Sequence, residues 1–400
     1  MSRIVSAAII LAGLVTGVYF LARDDAEPIE ATVSVAEAMA GDTTGYRRAV
    51  AVRDFAFPRD HGPHPGFKTE WWYLTGNLEA PQGRRVGYQF TIFRVAMTPP
   101  AEGAEDRAVR PAAAPNADTS AWATDQFYMG HFAVSDVENA RHYVFERFSR
   151  GAAGLAGAQA APFRVWLEDW ELAAAGDDAA FPARIRAAEE GIAIDLAVEP
   201  VKPHVLQGDR GLSQKGPGRG NASYYYSYTR LAAEGTVVLG GDTLRVTGRS
   251  WMDREWSTSA LGENQVGWDW FSLQLDDGRD LMYYQIRQDD GTASPYTEGV
   301  LVAGDGSAAR LRRDDVDLEV RDRWTSPTGA TYPARWRLRV PGRDLDLTVA
   351  PYFEDQELDV SVRYWEGAVR VAGTSGGASV SGSGYVEMTG YGDNNTRPGL

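Results

Sequence analysis

Residues 71–73, Trp-Trp-Tyr, lead through a turn into residues 88–94, Tyr-Gln-Phe-Thr-Ile-Phe-Arg. Later in the chain, residues 268–271, Trp-Asp-Trp-Phe, lead through Asp277-Gly278 into residues 283–287, Tyr-Tyr-Gln-Ile-Arg. Each half therefore holds a Trp-rich strand, a turn, and an aromatic strand that ends in Arg. Large aromatic and β-branched side chains suit the half-buried face of a sheet. Alternation recurs further along. In residues 335–340 (Arg-Trp-Arg-Leu-Arg-Val) the Arg side chains share one face, and residues 358–364 (Leu-Asp-Val-Ser-Val-Arg-Tyr) repeat the pattern. Turn chemistry is dense at Gly240-Gly241-Asp242, Asp290-Gly291 and Pro341-Gly342. From about residue 50 onward this predicts an all-β chain of two tandem barrel-like domains meeting near residue 245. The predicted bounds are 50–243 and 244–395, and a length of 400 residues agrees with two cores.

Outside the strands, residues 31–40 have the best helical periodicity, residues 99–121 read as a Pro/Ala-rich loop, and residues 207–222 as a Gly-rich loop. Residues 4–22 carry no charge and lie between Arg3 and Arg23. A stretch of that length is close to the roughly 20 residues a helix needs to span a bilayer. Residues 1–30 are therefore expected to be a signal peptide or signal-anchor helix, with the remainder periplasmic or otherwise outside the cytoplasm and the membrane a partner through that anchor.

The chain carries 40 basic and 55 acidic side chains, a net charge of −15, without a basic run, so nucleic acid is not expected as a partner. With no cysteine, disulfides, thiolate metal sites and a Cys nucleophile are excluded. No P-loop, Gly-x-Ser-x-Gly or dinucleotide fingerprint is present. His61 and His64 are spaced His-x-x-His, but on a Gly/Pro loop rather than a helix and without a following carboxylate, so neither metal nor cofactor is expected.

Strand alternation selects polar side chains that share a face with apolar ones. Glu70 falls with Trp72 and Leu74, and Arg94 with Tyr88, Phe90 and Ile92; a Glu70–Arg94 pair is the economical arrangement for two inward charges. Glu366 falls with Tyr364, and His131 with Phe127 and Met129. In residues 248–257, Trp251, Asp253 and Glu255 share one face, while Met252, Arg254 and Trp256 share the other. The candidate catalytic residues are Asp253, Glu255, Glu70 and His131, because a shielded carboxyl has a raised pKa and can donate a proton near neutrality. The candidate ligand-binding residues are Trp72, Arg94, Tyr225, Trp251, Trp268, Trp270, Tyr364 and Glu366. Together they predict an apolar chamber in each half of the molecule.

Residues 60–64 (Asp-His-Gly-Pro-His) through 68–73 (Lys-Thr-Glu-Trp-Trp-Tyr) resemble the opening signature of the lipocalin-like secreted-hydrolase, AttH-type family of the carotenoid 1,2-hydratase (hydroxyneurosporene synthase) superfamily. Residues 211–216, 222–227, 251–257 and 267–271 extend the resemblance, which covers roughly residues 50–395. It implies two tandem lipocalin-like barrels with pockets in or between them. Some relatives add water to acyclic carotenoids, and their stretch corresponding to residues 251–256 is His-rich. Here Met252 and Arg254 occupy it, leaving Asp253 as the proton donor. Two functions stay open: an exported protein that binds a lipid or other apolar small molecule, and a hydratase, isomerase or hydrolase that acts on one.

Overall fold

The structure, a computed structural model, describes residues 42–100, 124–176, 179–259 and 261–392. The first sheet contains β1 (Thr69–Glu79), β2 (Arg85–Ala96), β3 (Gln126–Asp136), β4 (Arg141–Arg150), β5 (Ala156–Ala160), β6 (Phe163–Leu167) and β7 (Trp170–Ala174). It continues with β8 (Ala183–Glu189), β9 (Ile192–Pro200), β10 (Val205–Leu206), β11 (Leu212–Gln214), β12 (Ala222–Leu239) and β13 (Asp242–Ser257). The second contains β14 (Gln265–Leu275), β15 (Asp280–Gln288), β16 (Glu298–Val302), β17 (Ala308–Arg312) and β18 (Asp317–Thr325). Its remaining strands are β19 (Thr331–Val340), β20 (Leu345–Pro351), β21 (Glu357–Asp359), β22 (Arg363–Ser375) and β23 (Ala378–Thr389). Helix is confined, among the described residues, to three-residue 3-10 turns, and none is long and apolar enough to cross a membrane. The expected N-terminal anchor and the periodic stretch 31–40 lie outside the described residues, as does nearly all of the loop 99–121.

Among the described residues every strand pairing is antiparallel, and each sheet pairs its first long strand with its last: β1 with β13, and β14 with β23. That pairing sits in the middle of each strand order, whose ends are β4 and β5 in the first sheet and β17 and β18 in the second. The chain leaves the first sheet after Ser257 and enters the second at Gln265, so β13 belongs with the N-terminal half. That moves the division of the sheets past the expected 243/244. The hairpin β12–β13 carries the Gly240-Gly241 turn, which sequence alone does not distinguish from a linker.

Among the described residues the expected chamber does not appear in either barrel interior; each is filled by a cluster of buried side chains instead. In the first, Trp72, Leu74, Phe90, Phe132, Trp170, Met252 and Trp256 are all fully buried in one cluster. In the second, Phe271, Trp336, Leu347, Trp365 and Met388 form the equivalent cluster. A third cluster lies between the sheets, where Tyr73, Tyr225 and Trp251 meet Trp270, Met282, Tyr284 and Tyr385. Asp280 anchors this junction: it accepts from Lys202 (2.7 Å), Arg230 (2.6 Å) and Thr229 (2.9 Å) of the first half. Strands β1 and β2 and the second half of β13 are thus buried on both faces, one toward their own barrel and one toward the other.

Candidate functional site

Parity along β1 and β13 decides which side chains go where. Glu70 is paired with Arg94 across β1–β2, as alternation predicts, and also with Arg254 of β13. Both ion pairs are completely buried in the first barrel. Backbone N–H of His64 adds hydrogen bonds at 3.0 Å, and Arg94 also donates to the Phe67 carbonyl at 2.8 Å. Burial opposes the charge on Glu70, but the two guanidiniums hold its carboxyl well below the usual range. The Arg254 guanidinium lies 4.0 Å from the centre of the Trp72 ring, and His64 stacks on Trp256 at 3.7 Å. This constellation is a closed strut. Glu70, Trp72 and Arg94 therefore do not line a ligand chamber, because the face they share is the one that fills the barrel.

The opposite face opens onto a chamber between the two sheets. Its walls come from Trp71 and Tyr73 of β1, Phe93 of β2, Met129 and His131 of β3, Tyr225 of β12 and Asp253 and Glu255 of β13. The second sheet contributes Trp268 and Trp270 of β14, Tyr284 and Ile286 of β15, Tyr364 and Glu366 of β22 and Glu387 of β23. The chamber volume is about 150 Å³, the size of an apolar cavity that accepts a benzene ring. Of the predicted site, Asp253, Glu255, His131, Tyr225, Trp268, Trp270, Tyr364 and Glu366 converge here. Trp251 stands one step behind, donating its indole N–H to Asp253 at 2.7 Å.

Asp253 also accepts from Tyr225 Oη and, at 2.5 Å, from Ser227 Oγ. Three donors favour the carboxylate, but burial outweighs them and pushes the group up to about 7. Glu255 lies 3.4 Å from Lys215 Nζ, whose ammonium also sits 4.1 Å from the centre of the Tyr284 ring. Glu366 and Glu387 are direct cross-strand partners in the β22–β23 hairpin. Glu387 accepts from the Trp268 indole at 2.9 Å, and burial raises it to about 7. Glu366 is fully buried, and neither carboxyl oxygen has a hydrogen-bond partner. Burial first, then the neighbouring Glu387, raises it well above the ordinary glutamate value, opposed by the phenols of Tyr73 and Tyr364.

His131 bridges the sheets. Its Nδ1 lies 2.7 Å from Tyr364 Oη and its Nε2 3.0 Å from Glu146 Oε1. Glu146 accepts in turn from Ser361 Oγ at 2.5 Å, and its pKa is lowered because these hydrogen bonds outweigh the opposing effect of burial. With Glu146 as acceptor on Nε2–H, Nδ1 is left to accept from the phenol, so the ring has one defined orientation. Glu387, Tyr73, Trp71, Lys215 and Tyr284 were not selected from sequence. Elsewhere, His61 bonds Tyr226 Oη at 2.7 Å, and burial lowers it to about 3; no group able to hold a metal occurs among the described residues.

Two barrel-like antiparallel sheets joined across an acid-lined aromatic chamber define a tandem lipocalin-like protein. A sequence model of the family described as AttH-like matches residues 48–391, and the chain belongs to that family. The fold is similar to that of an AttH protein from Nitrosomonas europaea: 33% identity, 86% of this chain and 100% of that chain, TM-score 0.73. It is also similar to kievitone hydratase from Nectria haematococca, at 15% identity over 88% of this chain and 98% of that one, TM-score 0.64. No curated protein matches.

Proposed function

We propose that this protein is a hydro-lyase that adds water to, or removes it from, an apolar small molecule held in the inter-sheet chamber. The carrying observation is Asp253, a buried carboxyl held by three donors and raised to about 7, on the wall of an aromatic cavity. A general acid works best with a pKa close to the operating pH. In the hydration direction the Asp253 proton bonds to one alkene carbon through the π electron pair, leaving a cation on the other. Water oxygen bonds to that carbon, and the proton it releases passes to Glu255, the carboxylate paired with Lys215. Faces of Trp71, Trp268 and Trp270 supply negative quadrupole to the cation. The likeness to kievitone hydratase is one of fold and supports the reading only to that extent.

Asp253→Asn tests the acid. The amide preserves shape and can still accept from Trp251 and Ser227, but it has no proton of comparable acidity to give. Turnover of an alkene or alcohol substrate should fall at least about 100-fold, the low end for general acid catalysis, with ligand affinity within a few-fold. Unchanged turnover would dismiss the mechanism. Intact binding of apolar fluorophores, with no chemical change in any co-purified molecule, favours the second reading, a binding protein for apolar ligands or lipids. The aromatic lining suits that role equally.

A further inference from the structure

We infer that the chamber is built for an organic cation: a ligand or reaction intermediate with one delocalised or alkylated positive charge on an apolar body. The inference rests on the hydro-lyase reading for its biological meaning, since protonating an alkene creates such a charge, but it concerns binding alone. The floor and walls carry four carboxyls, Asp253, Glu255, Glu366 and Glu387, against one ammonium, Lys215, which is already engaged with Glu255. An acidic cluster on a protein surface would be unremarkable. Here, however, Glu366 is completely buried on the cavity wall, and neither oxygen makes a well-formed hydrogen bond, with only the phenols of Tyr73 and Tyr364 beside it. An unmet buried acceptor costs its full desolvation, so it marks a place where something else binds.

The groups facing Glu366 from each packed element give it no cation. They are Glu387 on β23, Tyr73 on β1, Tyr364 on its own strand, Tyr385, and beyond them Asp253 and Glu255 on β13. His131 on β3 faces the same chamber, but its ring nitrogens are occupied by Tyr364 and Glu146. Around the acids stand the rings of Trp71, Trp268, Trp270, Tyr225 and Tyr284, whose faces attract positive charge, most strongly when desolvated. Without a cation, burial and mutual repulsion favour protons on the Glu366–Glu387 pair. With one present, a carboxyl releases its proton and pairs with the ligand. Binding of a permanent cation must therefore expel protons and tighten as pH rises.

The test uses phenyltrimethylammonium and its neutral isostere tert-butylbenzene, neither of which titrates, with the full chain in isothermal calorimetry. At about pH 7.5 the ammonium should bind about tenfold or more tightly, the factor that a single desolvated cation–π and carboxylate contact readily provides. Its affinity should rise up to about tenfold per pH unit from about pH 6 toward 7, with proton release shown by the dependence of heat on the buffer. Glu366→Gln combined with Glu387→Gln should reduce the preference at least about threefold and flatten the pH slope, leaving only the part carried by Asp253, while tert-butylbenzene affinity stays within about twofold and reports an intact chamber. Equal binding of the two probes, ammonium binding without proton release, or failure of both to bind would overturn the inference. Strong pH-linked ammonium binding in a protein without turnover would uphold it while defeating the hydro-lyase reading. Turnover without that preference would do the reverse.

Discussion

Glu366 shows most plainly what a single residue contributes here. In the unfolded chain it titrates near an ordinary glutamate, whereas in the fold burial and Glu387 hold its proton on. The raised group therefore favours the fold at pH values below the unfolded pKa, and its contribution is lost as pH rises toward the folded value. Glu366→Gln, a mimic of the protonated acid, should leave melting temperature nearly unchanged at about pH 4 and raise it at about pH 8. A melting curve of each form at both pH values checks this; a lowered melting temperature at the alkaline end would contradict it. Glu70 has the opposite sign. Its carboxyl is held low by Arg94 and Arg254, so its contribution is present above the unfolded pKa and is lost as pH falls through the folded one. Glu70→Gln leaves two buried guanidiniums short of their anion and should cost about 3–5 kcal/mol in urea unfolding.

At the scale of the strand, period-two reading gave the correct parity for β1, β2 and β13. It separated Trp251, Asp253 and Glu255 from Met252, Arg254 and Trp256, and it paired Glu70 with Arg94. It could not say which parity faced the barrel interior, because both faces of these strands are buried and carry aromatic side chains. Hence alternation alone places Trp72 and Arg94 among the ligand-binding candidates, whereas the structure puts them inside a packed core. A turn signal in the sequence bears on Glu387. Gly376 and Gly377 both adopt positive φ in a two-residue hairpin turn, and counting outward from it places Glu387 opposite Glu366. Lys215 had none, since a Gly-rich loop brings it to the chamber only through tertiary packing. Gly87 on β2 is a point where the two sheets approach closely. An added Cβ would meet Tyr385 Oη at 2.7 Å and the Ala368 Cβ at 2.8 Å. Gly87→Val should part the sheets at that point and weaken ligand binding about tenfold or more, read by titration with an apolar fluorophore. Unaltered binding would show that the junction tolerates the extra bulk.

For the whole molecule, each barrel is a packed support and the candidate site lies where the two supports meet. Asp280, fully buried and held by Lys202, Arg230 and Thr229, fastens that junction at a distance from the chamber, so its loss should disturb cavity and stability together. The same arrangement accounts for the titration of Asp253: only when both sheets close over it is water excluded enough to lift its pKa. Infrared difference spectroscopy of the full chain with carboxyl-labelled aspartate, compared with Asp253→Asn, reads that proton directly. The account predicts a protonated-carboxyl band that disappears with a midpoint near 7 and is missing in the variant. An Asp253 band already gone by about pH 5, in the ordinary aspartate range, would contradict it.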